Sequence, residues 1–406
     1  MNRIARHSME MFLGRRTSQR PLAKEPFLRI LPVIAVSAIF AFFLSCNGGK
    51  KDVPSSTAAS IFVYGGDVYV AGSRWDPSQN KTVATVWKSG APQHLATQAI
   101  GSEGHSVFVA NGDVYVAGVQ ILSPASDRPP GYGPVGYATL WKNGTPQRLG
   151  NEVFGTAANS VFVSGGDVYV AGHFVDEDGA HSIAMKNGIL MPYAYRDKDI
   201  GRSIFVSNGD VYVAGSTLPP GWVGYSMGAL WKNGMFVKPT PEYGDQPNQY
   251  DRFSWSADCV YVIGETVYVV GNFIRNSHRS PVVWINEPNI PLPHFSGGAA
   301  NGIGSVFATD EDYYLAGYCQ QHSSETLGDM FAIIQKNDTL IPTPRLPSKS
   351  RWARANSVFV SGSDVYAAGE ELYEPYLYHD PYYNSTLVFR KSIATLWKNG
   401  VPQELK

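Results

Sequence analysis

Short apolar runs broken by glycine-bearing turns dominate the chain from Ser60 onward. SVFVSGGDVYVAG (Ser160 to Gly172) holds two such runs around a Gly-Gly pair, and related copies open at Ser60, Ser106, Ser203, Cys259, Ser305 and Ser357. The second run reads DVYVAG from Asp67, Asp113, Asp167 and Asp210, then drifts to TVYVVG at Thr266, DYYLAG at Asp312 and DVYAAG at Asp364. A third run, ATLWKNG from Ala138 and from Ala394, leads into a short stretch such as PQRL or PQEL. Periods of about 40 to 50 residues that each contain several strands indicate propellers or related arrays. The pattern predicts four strands recurring seven times.

The turns support that division. Gly65-Gly66, Asn111-Gly112, Gly165-Gly166 and Asn208-Gly209 stand between strands one and two. Asn143-Gly144, Asn187-Gly188, Asn233-Gly234 and Asn399-Gly400 stand between strands three and four. A two-residue type I′ turn needs positive φ at both central positions, which Asn and Gly tolerate, so both connections are expected to be tight hairpins. Runs such as Val-Tyr-Val-Ala are apolar without alternation, as in sheets covered on both faces. The expected fold is all-β: a seven-bladed β-propeller of four-stranded antiparallel blades over residues 58–406. In such a blade the two tight turns share one end of the disc. The other end then receives the longer connections, among them the stretches from Val119 to Tyr137 and from Glu370 to Ser392, both expected to be irregular. Loops carry function more often than their scaffold does.

The order of strand, tight turn, strand ending in glycine, long loop, aromatic-bearing strand and short strand resembles the kelch repeat over all seven units, from about Ser60 to Leu405. It departs from that pattern by ending strand two in Ala-Gly or Val-Gly and by placing Trp late in strand three. The resemblance implies binding at the loop face, of a peptide or protein.

The amino terminus carries a different signal. Arg15, Arg16, Arg20, Lys24 and Arg29 precede an apolar run from Ile30 to Leu44 that stops at Ser45-Cys46. A run of about 15 residues containing Pro32 falls short of the roughly 20 a spanning helix needs. Residues 1–45 therefore resemble a lipoprotein signal peptide, with Cys46 the lipidation site and residues 46–57 a flexible tether. Met9 and Met11 are alternative starts. Asn47 and the charges behind it resemble outer-membrane lipoproteins of the Bacteroidetes kind, which implies a cell-envelope location, periplasmic or surface-exposed, and a membrane partner through the anchor. Beyond residue 45 there remain 26 basic and 32 acidic side chains, a net of about −6. No basic stripe suggests nucleic acid. Two further cysteines, Cys259 and Cys319, leave a disulfide open in an oxidising compartment.

Residues that recur are explained by the fold. Trp87, Trp141, Trp231, Trp284 and Trp397 fit packing between blades, and the Asp that follows each first turn is expected to bond local backbone. Positions that refuse to recur are better candidates for function. Immediately before each opening Ser stand Ala59, His105, Asn159, Arg202, Asp258, Gly304 and Asn356; after each strand-two glycine stand Ser73, Val119, His173, Ser216, Asn272, Tyr318 and Glu370. These would form two concentric rings around the channel mouth, framed by Trp75, Trp222, Trp255, Trp352, Tyr376 and Tyr378. His105, Asn159, Arg202, Asp258, Asn356, His173 and Glu370, with Trp222, Trp255 and Trp352, are the expected contacts for a glycan, peptide or protein. Asp258 and Glu370 are the acids in these rings that could serve a glycosidase, which needs two convergent carboxylates. A carbohydrate-active hydrolase or lyase, or a structural subunit of an envelope complex, stands as the alternative. No catalytic constellation, phosphate loop, metal spacing or cofactor motif is found.

Overall fold

In the computed structural model the described residues are 55–406, less 124–134, 151–155, 176–179, 193–198, 218–225, 238–252, 276–277, 287–299, 321–328, 338, 346–351 and 381–384. The chain divides into Met1–Pro32, outside the described residues, and Val33–Lys406, which holds every strand discussed here. The expected signal segment, Cys46 and most of the tether also fall outside.

The described residues are strand and turn, with no helix among them. Repeat one is a four-stranded antiparallel sheet of Ser56–Tyr64, Asp67–Asp76, Lys81–Lys88 and Ala91–His94, paired in chain order. Repeats two, three and four do the same from Gly101, Ala157 and Ile200. Repeats five, six and seven open at Phe253, Ala300 and Trp352 and join edge to edge through single parallel pairs, Arg279 with Ala300 and Met330 with Trp352. The described residues give repeat five three strands. Strand one of repeat one begins at Ser56, so residues 56–59 lengthen it and add no separate strand at the seam. The stretch from Glu370 to Ser392, expected to be irregular, is largely a long hairpin: Asp364–Asp380 pairs with Ser385–Lys398 as far as Asp380 with Ser385.

The tight turns follow the sequence chemistry. Asn143 and Gly144 sit at φ 49° and 81°, and Gly65 and Gly66 at 60° and 86°. The Asp of strand two behaves otherwise than expected. Asp113 takes Asn143 Nδ2 at 2.7 Å and Lys142 Nζ at 2.7 Å, while Asn143 Oδ1 accepts the backbone N–H of Val114 at 2.8 Å. Asp thus ties one hairpin to the other, and it is Asn that bonds the backbone. The set recurs at Asp167, Asp210, Asp312 and Asp364.

Strand one lies innermost, and two circuits of contacts prove that the repeats close on themselves. Phe62, Phe108, Phe162, Phe205, Tyr261, Phe307 and Phe359 touch in succession with ring centroids 4.7–5.2 Å apart, and Phe359 returns to Phe62 at 5.1 Å. Beside this aromatic collar, the opening Ser of one repeat accepts an N–H from strand one of the next: Val107 N–H to Ser60 Oγ at 3.2 Å, Ile204 N–H to Ser160 Oγ at 3.0 Å, and finally Ile61 N–H to Ser357 Oγ at 3.2 Å. A buried donor left unpaired would cost roughly 1–3 kcal/mol, which explains why Ser recurs at this fully buried place. Cys259 replaces it in repeat five. Burial pushes its thiol up to about 12, and such structural thiols are inert; Cys259 and Cys319 are both free rather than bridged. Trp87, Trp141, Trp231, Trp284 and Trp397 are buried in the core, and Trp87 and Trp141 reach the adjoining repeat through Nε1, to Lys406 O at 3.3 Å and Ala96 O at 2.8 Å. The fold is a β-propeller, and at its seam the described residues exchange no strand.

Candidate functional site

The end of each repeat away from the hairpins is shaped by one backbone feature that apolar patterning does not reveal. In all seven repeats the pairing of strands one and two slips by one residue, just before the opening Ser. The residue left over is Ala59, His105, Asn159, Arg202, Asp258, Gly304 or Asn356. A bulge re-aims the extra side chain and sharpens the local twist, so the seven residues that vary are the ones the backbone expels from the ladder. The strand-two glycine is the other half of the device. A Cβ on Gly72, Gly118, Gly172, Gly215, Gly271, Gly317 or Gly369 would overlap the carbonyl oxygen of Thr57, Glu103, Ala157, Ile200, Ser256, Gly302 or Arg354, respectively. The terminal glycine of DVYVAG was the available signal, since glycine inside a strand marks bulges and close backbone approach.

Much of the expelled ring is buried and engaged with the neighbouring repeat. His105 Nδ1 donates to Ala158 O at 3.0 Å, and its Nε2 lies 3.6 Å from Glu103 Oε2. Asn159 Nδ2 donates to Gly201 O at 2.7 Å and faces His173 Nδ1 at 3.2 Å. Asn356 Nδ2 donates to Ala58 O at 2.9 Å across the seam. Repeat five makes the equivalent link from strand two: Asn272 Nδ2 donates to Ile303 O at 2.9 Å and Asn272 Oδ1 accepts Ile303 N–H at 3.1 Å. These side chains latch repeats two, three, five and seven to the carbonyl that precedes the next bulge.

Repeats two to five join through a continuous polar arc. His173 is buried, and burial together with the nearby Arg202 and His105 holds its imidazole down to about 4, so it is neutral at pH 7. Arg202 Nε lies 3.5 Å from Asp258 Oδ1. Asp258 Oδ2 accepts Ser256 Oγ at 2.9 Å and Asn272 Nδ2 at 2.5 Å. Repeat seven carries a separate pair, Arg354 with the buried Glu370. Ala59 and Gly304, on either side of Asn356 around the ring, contribute almost no side chain.

The nominated aromatics divide. Trp255 is only 7% exposed and packs against Phe273 at 4.0 Å and Trp284 at 6.4 Å, within the core. Trp352 is half-buried at the start of strand one of repeat seven. Trp222 lies outside the described residues. Two features at this end escaped the sequence. Tyr318 covers Gly302, where a Cβ would press on its ring, and its hydroxyl accepts Arg279 Nη1 at 3.1 Å. A cleft of about 680 Å³ opens between repeats one and two, lined by Gln79, His94, Gln120, Tyr137 and Arg148 among others, and contains none of the nominated residues. Among the described residues no group of three His, Cys, Asp or Glu could hold a metal ion.

No family model matches the sequence, and no curated protein matches it. Solved structures with similar folds include a Pyrococcus horikoshii acylaminoacyl peptidase, at TM-score 0.45 and 10% identity, covering 86% of this chain and 52% of that one. This chain therefore spans about half the length of that peptidase. The β-propeller domain of the Trilobed protease from Pyrococcus furiosus, described as having an open velcro topology, is similar at TM-score 0.44 and 9% identity, with 87% and 96% covered. A polysaccharide lyase of family PL25, an ulvan lyase, is similar at TM-score 0.37 and 10% identity, with 85% and 81% covered. Likeness at these levels says nothing of activity, and the propeller assignment rests on the closed contact circuits of this chain.

Proposed function

We propose that this protein is a binding module displayed from a membrane by an acylated Cys46, and that it takes a glycan or peptide at the channel mouth opposite the hairpins. The observation that carries this is the expelled ring: seven equivalent backbone sites, forced by the same bulge, bear Ala, His, Asn, Arg, Asp, Gly and Asn where the neighbouring Ser and Gly repeat almost without change. The aromatic collar beneath the ring gives such a cup an apolar floor. Pockets that present a few convergent polar groups over an apolar base are the usual form of small-ligand sites. Hydrolysis by paired carboxylates has weaker support, because Asp258 and Glu370 belong to different repeats and each is already engaged by an arginine. The test is binding of the full chain to glycan and peptide arrays, followed by hydrogen exchange with and without the best binder. Protection is expected at the strand ends around Ser102–His105, Ser216–Thr217 and Trp352–Asn356. Absence of any binder, or protection confined to the hairpin end, would refute it.

A further inference from the structure

Within the polar arc, capacity for hydrogen bonding is spent unevenly. Asn159 gives its amide hydrogens to Gly201 O and toward His173, yet its buried Oδ1 has no hydrogen-bond partner among the described residues. Gly201 is the residue before Arg202, so that bond sets Asn159 beside the arginine. Among the described residues Arg202 forms one ion pair, of 3.5 Å to Asp258, and its buried Nε has no hydrogen bond. Its side chain is nonetheless 24% exposed. Arg354 differs, since Nε and Nη2 both go to Glu370. Asp258 cannot turn further toward Arg202, because its other oxygen is held by Ser256 and Asn272.

A guanidinium presents planar donors that suit a carboxylate, and here the side chain, 24% exposed and held by one ion pair, stands next to a buried acceptor that lacks a donor. A ligand that fills both carries an acid group flanked by a hydroxyl. We infer that the channel mouth recognises a uronic acid residue of a glycan, its carboxylate on Arg202 and an adjoining hydroxyl on Asn159 Oδ1. This rests on the binding function proposed above and names its ligand class. A neutral sugar would leave the arginine without the partner it is poised for, and unpaired polar groups of a site are what make it reject a ligand lacking the matching group. An Asp or Glu side chain brings the carboxylate without a hydroxyl beside it.

The experiment titrates the full chain with trigalacturonate, with its methyl ester, which keeps the skeleton and removes the charge, and with an Asp/Glu hexapeptide; oligomers of glucuronate and mannuronate extend the series. At least one uronate oligomer is expected to bind about tenfold or more tighter than its ester, and Arg202→Gln to lose about as much, in line with removal of a charge-assisted contact. Lys142→Gln, at the hairpin end, should bind as the parent does. The comparison of acid with ester needs no variant, so it decides even if Arg202→Gln folds poorly. Equal affinity for acid and ester, an unaltered Arg202→Gln, or binding of the acidic peptide alone would overturn the uronate assignment and leave the binding function standing. Failure of every probe, together with blank glycan and peptide arrays, would remove both.

Discussion

The two ends of the disc are built on opposite logics. At the hairpin end, Asp, Lys and Asn or Ser recur in six of the seven repeats, exposed and bonded to one another, with Lys of strand three placed over Tyr of strand two at 5.3–5.8 Å. Only repeat five, with Thr266 and Ile285 in place of Asp and Lys, departs from it. At the bulge end strands one and two approach so closely that the strand-two glycine admits no Cβ, while the side chain expelled by the bulge differs from repeat to repeat. Repetition at exposed positions here records turn chemistry. Variation at backbone-fixed positions is the more informative sign of selection for something other than folding.

Backbone changes should separate the ends most sharply. Gly271→Ala would drive a Cβ into the Ser256 carbonyl, and is expected to destabilise by about 4 kcal/mol or more or to prevent folding, the range reserved for severe packing and backbone defects. Gly112→Ala at a hairpin tip meets open space and suffers only from its φ of 82°, for an expected loss of about 1–2 kcal/mol. Urea denaturation of both variants measures the gap; similar losses would undo the contrast.

A pH titration gives the next largest effect. The folded protein holds His173 to about 4, whereas an unfolded chain takes up that proton near 6.5, so stability is complete above about 6.5 and declines as pH falls toward 4. A difference of about 2.5 units corresponds to roughly 3 kcal/mol by pH 4. Replacement by Gln should flatten the portion of the stability–pH curve between these limits; an unchanged slope would show that the imidazole is not the group responsible. The smallest effect belongs to Lys142→Met. Exposed ion pairs such as Lys142–Asp113 contribute little, and no measurable change in melting temperature is expected. A clear loss would mean that the hairpin end stabilises the disc after all.

The sequence revealed strands, turns and repeat boundaries because each is written in local chemistry: positive φ for Asn-Gly, β-branched and aromatic residues for strands. It also placed the varying positions on one ring. It did not reveal that His105, Asn159 and Asn356 spend themselves on carbonyls of the adjoining repeat, because those partners lie 53, 42 and 298 residues away. Trp255 read as a frame for the cup, yet it packs inward on Phe273 and Trp284. The bulge was legible only in hindsight of its glycine, which also suits a simple strand end. The long hairpin of repeat seven was hidden by Pro375 and Pro381, residues that ordinarily interrupt strands; the register shifts at Pro375 and resumes beyond it.

Among the described residues each hydrogen bond across the seam between the last repeat and the first uses a side chain: Ser357 and Asn356 on Ile61 and Ala58, Trp87 Nε1 on Lys406 O at 3.3 Å, and Ser392 on Ser55. Serine and amide latches recur at other junctions, some of which add backbone pairs such as Arg279 with Ala300 and Met330 with Trp352, and among the described residues no shared strand singles this one out. Residues 55–406 could accordingly be circularly permuted, with 55 and 406 joined by a short linker and a new opening cut at a hairpin tip, and the disc reassembling in the old order; the ring remembers neighbours, not a beginning.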